Sequence, residues 1–315
     1  MGERRQAAVG SEVAHFWNHS FEIAAEIAAD FGVARYSDES ILHPIASLME
    51  VIIAVQTLFG PGWQAFFLGI SALSSQYTYM VIIALYYWLV SPSFSRQLGM
   101  ALALSYLDNL LLKELFAQPR PFELNPDIAV PLAQSKAEGP SFPSGHTQGA
   151  ATFWLFLALQ EARLWPLSLV CIGLVAVSRI YLGVHFGVDV LAGGVIGLIF
   201  AWLGVRWLRW PRLNPKLGVS VIFIAFISVL FLPTLAAPMG VMVGFWLAAA
   251  DFKPPTTWPK RAFWAVGGLG LLWVCLLGLG ALFDQLGLPE WSDYWRYLLV
   301  TLLITEGWPQ LAGRR

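Results

Sequence analysis

Charge is scarce in this 315-residue chain: 12% of its residues are Asp, Glu, Lys or Arg, about half the roughly 25% usual in soluble domains. With 57% of residues hydrophobic, too few polar side chains remain to cover a water-soluble globule. Net charge is equally slight, since 19 Lys+Arg against 20 Asp+Glu leave -1, and no basic surface points to nucleic acid. Cysteine is nearly absent. Cys171 and Cys275 both sit inside apolar runs, which excludes a disulfide framework and a thiolate metal centre. The stretch from Met1 to Arg35 lacks an apolar core ahead of a small-residue cleavage site, so no signal peptide is expected.

What the chain does hold is apolar blocks of about 16 to 22 residues, the length a helix needs to cross hydrocarbon roughly 30 Å thick. Many of the 15 Trp fall near block ends, as in the aromatic belts of membrane proteins. The fold class is therefore all-α, a polytopic transmembrane helical bundle. Spans are expected at Leu73–Val90, Leu98–Phe116, Thr147–Ala162, Trp165–Leu182, Val188–Leu208, Leu217–Ala236, Ala262–Phe283 and Tyr294–Leu311, with Pro238–Ala250 a short or tilted one. Ile41–Phe59 carries His43, Ser47, Glu50 and Thr57 on one face. That face fits either a first span with its polar side buried or a helix lying in the interface, and burial is the favoured reading. Glu12–Phe31 is acidic on one side and apolar on the other, as expected of a surface-lying helix.

Loop charge gives an orientation. Arg96, Arg163, the group Arg206, Arg209, Arg212 and Lys216, and then Lys253, Lys260 and Arg261 fall in loops separated by even numbers of spans, provided that Pro238–Ala250 crosses. Those loops are expected in the cytoplasm. The opposite side receives the long loop from Gln118 to Ser144 and the acidic turn around Asp284 to Asp293.

Polar chemistry concentrates on that second side. Lys113 lies near the end of its span, and Pro119 and Pro121 stop the helix around Arg120. Pro143-Ser144-Gly145-His146 opens the next block, with Ser144 a natural N-cap and the free amides of the following turn suited to an anion. Ser178-Arg179 is followed after five residues by His185 and after three more by Asp189. His185 and Asp189 stand at i and i+4, so the carboxylate can orient the imidazole. Taken singly, Lys113 could snorkel, Arg120 could meet lipid headgroups, and the serine turn could be a plain cap. Span parity brings all three clusters to one membrane face. There Lys113, Arg120 and Arg179 form a polyanion pocket beside two histidines, the groups that phosphomonoester cleavage requires.

These motifs, Lys113-x6-Arg120-Pro121, Pro143-Ser144-Gly145-His146 and Ser178-Arg179-x5-His185-x3-Asp189, resemble the three signatures of the type 2 phosphatidic acid phosphatase superfamily, which shares its site with vanadium haloperoxidases and glucose-6-phosphatase. The resemblance covers about Leu73 to Leu208 and implies a six-helix phosphatase core, placed at 41–212; apolar patterning adds an amphipathic segment at 1–40 and additional spans at 213–315. It implies His185 as the nucleophile that becomes a phosphohistidine, Asp189 as the group holding its ring, and His146 as acid and then base. Lys113, Arg120, Ser144, Arg179 and the amide of Gly145 would bind the phosphate oxygens. No metal or other cofactor is implied, because cations of the chain carry the charge. Asp108, Asn109 and Glu114, which flank Lys113, are expected to pack around the site or support its groups and receive no step. The implied substrate is a lipid phosphate such as phosphatidic acid, a sphingoid-base phosphate or a polyprenyl pyrophosphate. The alternatives are a soluble sugar phosphate, or lipid binding without catalysis, against which the complete motif set argues; haloperoxidase relatives are largely soluble. The expected location is a bacterial cytoplasmic membrane with the site on its outer face. Gly240-x3-Gly244 fits close helix packing or a homo-oligomer, or a sharper role as a wall through which lipid enters.

Overall fold

The computed structural model describes residues 39–207, 215–248 and 252–313. The surface helix expected at Glu12–Phe31 lies outside the described residues, as do Arg209 and Arg212. The described chain is a helical bundle: α1 (Glu39–Phe59), α2 (Gln64–Leu73), α3 (Gln76–Leu89), α4 (Pro92–Phe116), α5 (Gly145–Gln160), α6 (Trp165–Tyr181), α7 (Gly187–Trp207), α8 (Pro215–Phe231), α9 (Ala236–Leu247), α10 (Trp258–Gln285), α11 (Asp293–Leu302) and α12 (Trp308–Gly313). By length and apolarity Ala162–Tyr181, Gly187–Trp207 and Trp258–Gln285 can each cross a membrane, and the pair Ser47–Phe59 and Pro61–Leu73 passes the same test but is bent by 86°.

Helix ends follow local chemistry. Ser91 caps α4, its hydroxyl accepting from the Phe94 amide, and Pro92 occupies the first turn, where no amide donor is needed. The span expected at Leu217–Ala236 ends earlier. Pro233 cannot continue α8, so the chain makes a short 3₁₀ turn at Pro233–Leu235 and starts α9 at Ala236. The expected span at Tyr294–Leu311 is likewise α11, a π turn at Leu303–Gly307 and then α12.

The expected burial of the polar face of α1 does not occur at its described side chains; that of His43 lies outside them. Ser47, Glu50 and Thr57 are exposed, while Met49 and Ile52 on the other side pack with Ile128 and Phe186. A buried Glu50 would need a partner to offset its desolvation, and the apolar edge of the same helix is available instead.

The helices run alternately, so that α4 and α6 end, and α5 and α7 begin, at one end of the bundle, here the site end. Arg96 lies at the far end, where its guanidinium donates to the carbonyls of Phe245 (3.0 Å) and Trp246 (3.5 Å). α9 therefore ends at the far end; at 12 residues it counts among the shorter apolar helices, and the loop-charge parity rests on its crossing. Arg163 in the α5–α6 connection and Arg206 at the end of α7 share that far end.

The C-terminal helices share a core with the rest. Tyr87 and Trp88 of α3 are fully buried against Trp264, Leu272, Val300 and Trp308, and the Trp88 indole donates to the Ile304 carbonyl at 2.9 Å. Gly240 and Gly244 pack α9 onto α11 within the chain. A Cβ at Gly240 would stand 2.4 Å from the Tyr294 carbonyl oxygen, and one at Gly244 would stand 2.5 Å from the Thr301 side chain. Close helix packing is thus their structural role.

Candidate active site

Three connections build the site. After α4, Ala117 takes a left-handed conformation (φ 43°) and its amide returns to the Lys113 carbonyl, which ends the helix just before Arg120. Before α5, the Ser144 amide donates to the Asp189 carbonyl at 3.0 Å, clamping the start of α5 onto the first turn of α7. This clamp requires glycine at 193, where a Cβ would lie 2.6 Å from the Ser144 carbonyl oxygen. After α6, Gly183 turns the chain at φ 69° and delivers Val184 and His185 to the same junction.

The motif cations converge with His185 and Asp189 and are buried, while His146 is half-buried. His185 is 2% exposed, Asp189 0%, Arg120 4%, Arg179 5% and Lys113 8%. The His185 Nδ1 atom lies 3.5 Å from Asp189 Oδ2, while Nε2 lies 3.4 Å from Arg120 Nη1. Asp189 Oδ2 also accepts from the Phe186 amide at 2.9 Å. With Nδ1 toward the carboxylate, the Nε2 lone pair points into the cationic cage. Arg120 donates to the carbonyls of Gly139 (2.8 Å), Glu138 (2.7 Å) and Val184 (3.0 Å), and Lys113 to those of Pro140 and Ser141. Arg179 donates to the Ser71 hydroxyl of α2. His146, second residue of α5, is within electrostatic reach of Arg179, Arg120 and Lys113, and also of His185.

Burial, and after it the charges of Arg120, Arg179 and Lys113 and the neighbouring His146, push the His185 imidazole well below its ordinary value. Burial also lowers Arg120, with Glu123 and Asp189 opposing it. Ser144 and Gly145 sit where expected, but the Ser144 hydroxyl pairs with that of Thr147 at 3.1 Å.

Several neighbours escaped the sequence reading. Ser141, fully buried, donates to Asp189 Oδ2 at 2.6 Å and lies 3.4 Å from His185 Nδ1. Only its place two residues ahead of Pro143 hinted at it. Asn109, expected to pack around the site or support it, donates to the Pro143 carbonyl (3.2 Å) and to Gln148 (2.9 Å), and Gln148 donates to the Ser105 carbonyl (2.7 Å). This ladder ties α4 to the turn that carries His146. Asp108 joins it at 3.4 Å from Gln148, whereas Glu114 is exposed.

Residues 94–213, which hold all three motifs, match the family model described as the PAP2 superfamily. Over 118 residues the chain is 34% identical to an undecaprenyl-diphosphatase of Sulfolobus acidocaldarius, covering 36% of this chain and 56% of that protein. Over 245 residues it is 21% identical to a dihydrosphingosine 1-phosphate phosphatase of Schizosaccharomyces pombe, covering 68% and 59%. The crystal structure of LpxE from Aquifex aeolicus aligns with a TM-score of 0.45 and 27% identity over 50% of this chain and 94% of that one. The chain spans about half to three fifths of the length of the first curated relatives it matches.

Proposed function

We propose that this integral membrane protein, whose residues 94–213 are a PAP2-superfamily segment, hydrolyses a lipid phosphate through a phosphohistidine. The observation that carries the reading is the buried cage in which Lys113, Arg120 and Arg179 surround His185, with Nε2 facing Arg120 and Nδ1 facing Asp189. Nε2 attacks phosphorus, and the bond from phosphorus to the leaving oxygen breaks, the lipid oxygen of a phosphomonoester or the bridging oxygen of a pyrophosphate. His146 supplies the proton to that oxygen, then takes one from water as the water attacks the phosphohistidine. Asp189 supports the positive charge that the His185 ring gains. The three cations, with Ser144 and the Gly145 amide, hold the equatorial oxygens as charge moves. Phosphatidic acid, a sphingoid-base phosphate and a polyprenyl pyrophosphate are the candidate substrates, since their chains stay in the bilayer while the headgroup enters at the site end.

The test is phosphate release by purified protein from these three lipids, with a sugar phosphate as competitor. Release from a lipid that resists the competitor is expected. Release from the sugar phosphate alone would overturn the lipid assignment. Vanadate, which takes up the five-coordinate geometry of in-line attack, is expected to inhibit more tightly than phosphate. Activity is expected to persist in excess chelator, because the chain's own cations neutralise the phosphate; a magnesium requirement would count against the mechanism.

The loop charges support a site on the outer face of a bacterial cytoplasmic membrane. Ala133 is buried beneath the loop, whereas Ser135 beside it is exposed. With Cys171 and Cys275 replaced by alanine, Ser135→Cys is expected to react with an impermeant thiol reagent on intact cells. Labelling only after lysis would reverse the orientation.

A further inference from the structure

Arg179 brings a cation into the cage at the end of α6, yet among the described residues its guanidinium has one hydrogen-bond partner, the Ser71 hydroxyl, and its Nε is buried without any. A buried guanidinium held at one point keeps freedom to swing, and an anion is needed to complete its surroundings. Ser71 belongs to α2, outside the matched segment 94–213.

The backbone is bent to bring it there. At Gly60 the chain takes φ 71°, in the left-handed region, and α1 and α2 meet at 86°. A straight helix continued from Phe59 would carry Ser71 about 18 Å further along the direction of α1. The bend is fastened to the end of α6. Gln56 donates to the carbonyls of Ile128 (2.8 Å) and Tyr181 (2.9 Å), and the Tyr181 hydroxyl donates to the Gly60 carbonyl at 2.7 Å. The Tyr181 carbonyl is one of those a helix end leaves without an internal partner. Phe67, 1% exposed, packs against the Tyr181 ring at 4.4 Å between centroids. The last turn of α6, which holds Arg179 and Tyr181, is thus gripped from one side by the bent pair.

We propose that Ser71 is a positioning residue for Arg179, and that the bent pair α1–α2 forms a wall of the phosphate pocket; the inference rests on the phosphatase reading above. Ser71 acts on the cation that binds phosphate and touches no lipid tail. Ser71→Ala is therefore expected to lower kcat/KM by roughly 10- to 100-fold, the scale of a misplaced binding group. The loss is expected to be equal for a lipid phosphate and for water-soluble p-nitrophenyl phosphate, with vanadate inhibition weakened in parallel and the thermal unfolding temperature unchanged. Ser71→Thr, which keeps the hydroxyl, is expected to restore most of the activity.

An active wild type matched by Ser71→Ala in turnover and vanadate inhibition would overturn the role of Ser71 and leave the phosphatase reading intact. A Ser71→Thr variant as impaired as Ser71→Ala would also overturn it, because shape rather than the hydroxyl would then matter. A wild type that releases no phosphate from any of these compounds would sink the phosphatase reading itself, and the inference with it.

Discussion

Replacing His185 with alanine is expected to reduce phosphate release by roughly 10⁴-fold or more, the scale of losing a covalent nucleophile. The reason is geometric. Among the described residues, its imidazole pairs a nitrogen facing the guanidinium of Arg120 with a second one facing a buried carboxylate. Among the described residues no serine hydroxyl or cysteine thiol is set in that way; the hydroxyl of Ser141 is spent on Asp189. Brief incubation with ³²P-labelled substrate and quenching at alkaline pH, where the acid-labile phosphohistidine survives, should label the wild type and leave the variant unlabelled. The mapped phosphopeptide should contain Val184 to Asp189. Recovery of label on a peptide without those residues would remove His185 from the role.

The pH dependence follows from the same burial. Because the imidazole in the folded chain is held well below its ordinary value of 6.5, first by desolvation and then by Arg120, Arg179 and Lys113, the nucleophile stays neutral into mildly acidic solution. The acid limb of kcat/KM that arises from protonating it should therefore lie below pH 6.5, since that parameter reports the free enzyme. Stability has the matching sign. The unfolded chain takes up a proton at this histidine near pH 6.5 while the folded chain resists it, so this group's contribution is complete above that value and is lost as pH falls below it.

The sequence makes the cage legible because its chemistry is written in short motifs at helix ends. Lys113 and Arg120 straddle the end of α4, His146 opens α5, Arg179 closes α6, and the i to i+4 spacing of His185 and Asp189 opens α7. Parity of spans then sets them at one end. The sequence is silent where the structure depends on contacts between distant elements. Ser71 lies 108 positions from Arg179 and Gln56 lies 125 from Tyr181, and a serine or glutamine in an apolar run carries no signature of the partner it meets. Ser141 is hidden for the same reason. The polar face of α1 was misread because periodicity shows that a helix is two-faced without showing which face the bundle accepts.

His146 yields the sharpest separation of steps. It belongs to the first turn of α5, which the Ser144 amide fastens to α7, and stands within electrostatic reach of Arg179, Arg120 and Lys113. If it protonates the departing oxygen, His146→Ala should cripple phosphoryl transfer from a lipid phosphate, whose alkoxide is a poor leaving group, by about 10²- to 10⁴-fold. Nitrophenolate leaves without a proton, so p-nitrophenyl phosphate should still phosphorylate His185 in this variant. Hydrolysis of the phosphohistidine would then stall, because the same side chain is needed to draw a proton from the attacking water. Rapid mixing should show a burst of nitrophenolate approaching one equivalent per active chain, followed by slow turnover and trapped label on His185, and no burst of alcohol release from the lipid. Equal bursts from both substrates would show that leaving-group protonation comes from elsewhere. Absence of a burst from either would place His146 in phosphate binding instead, beside Lys113, Arg120 and Arg179.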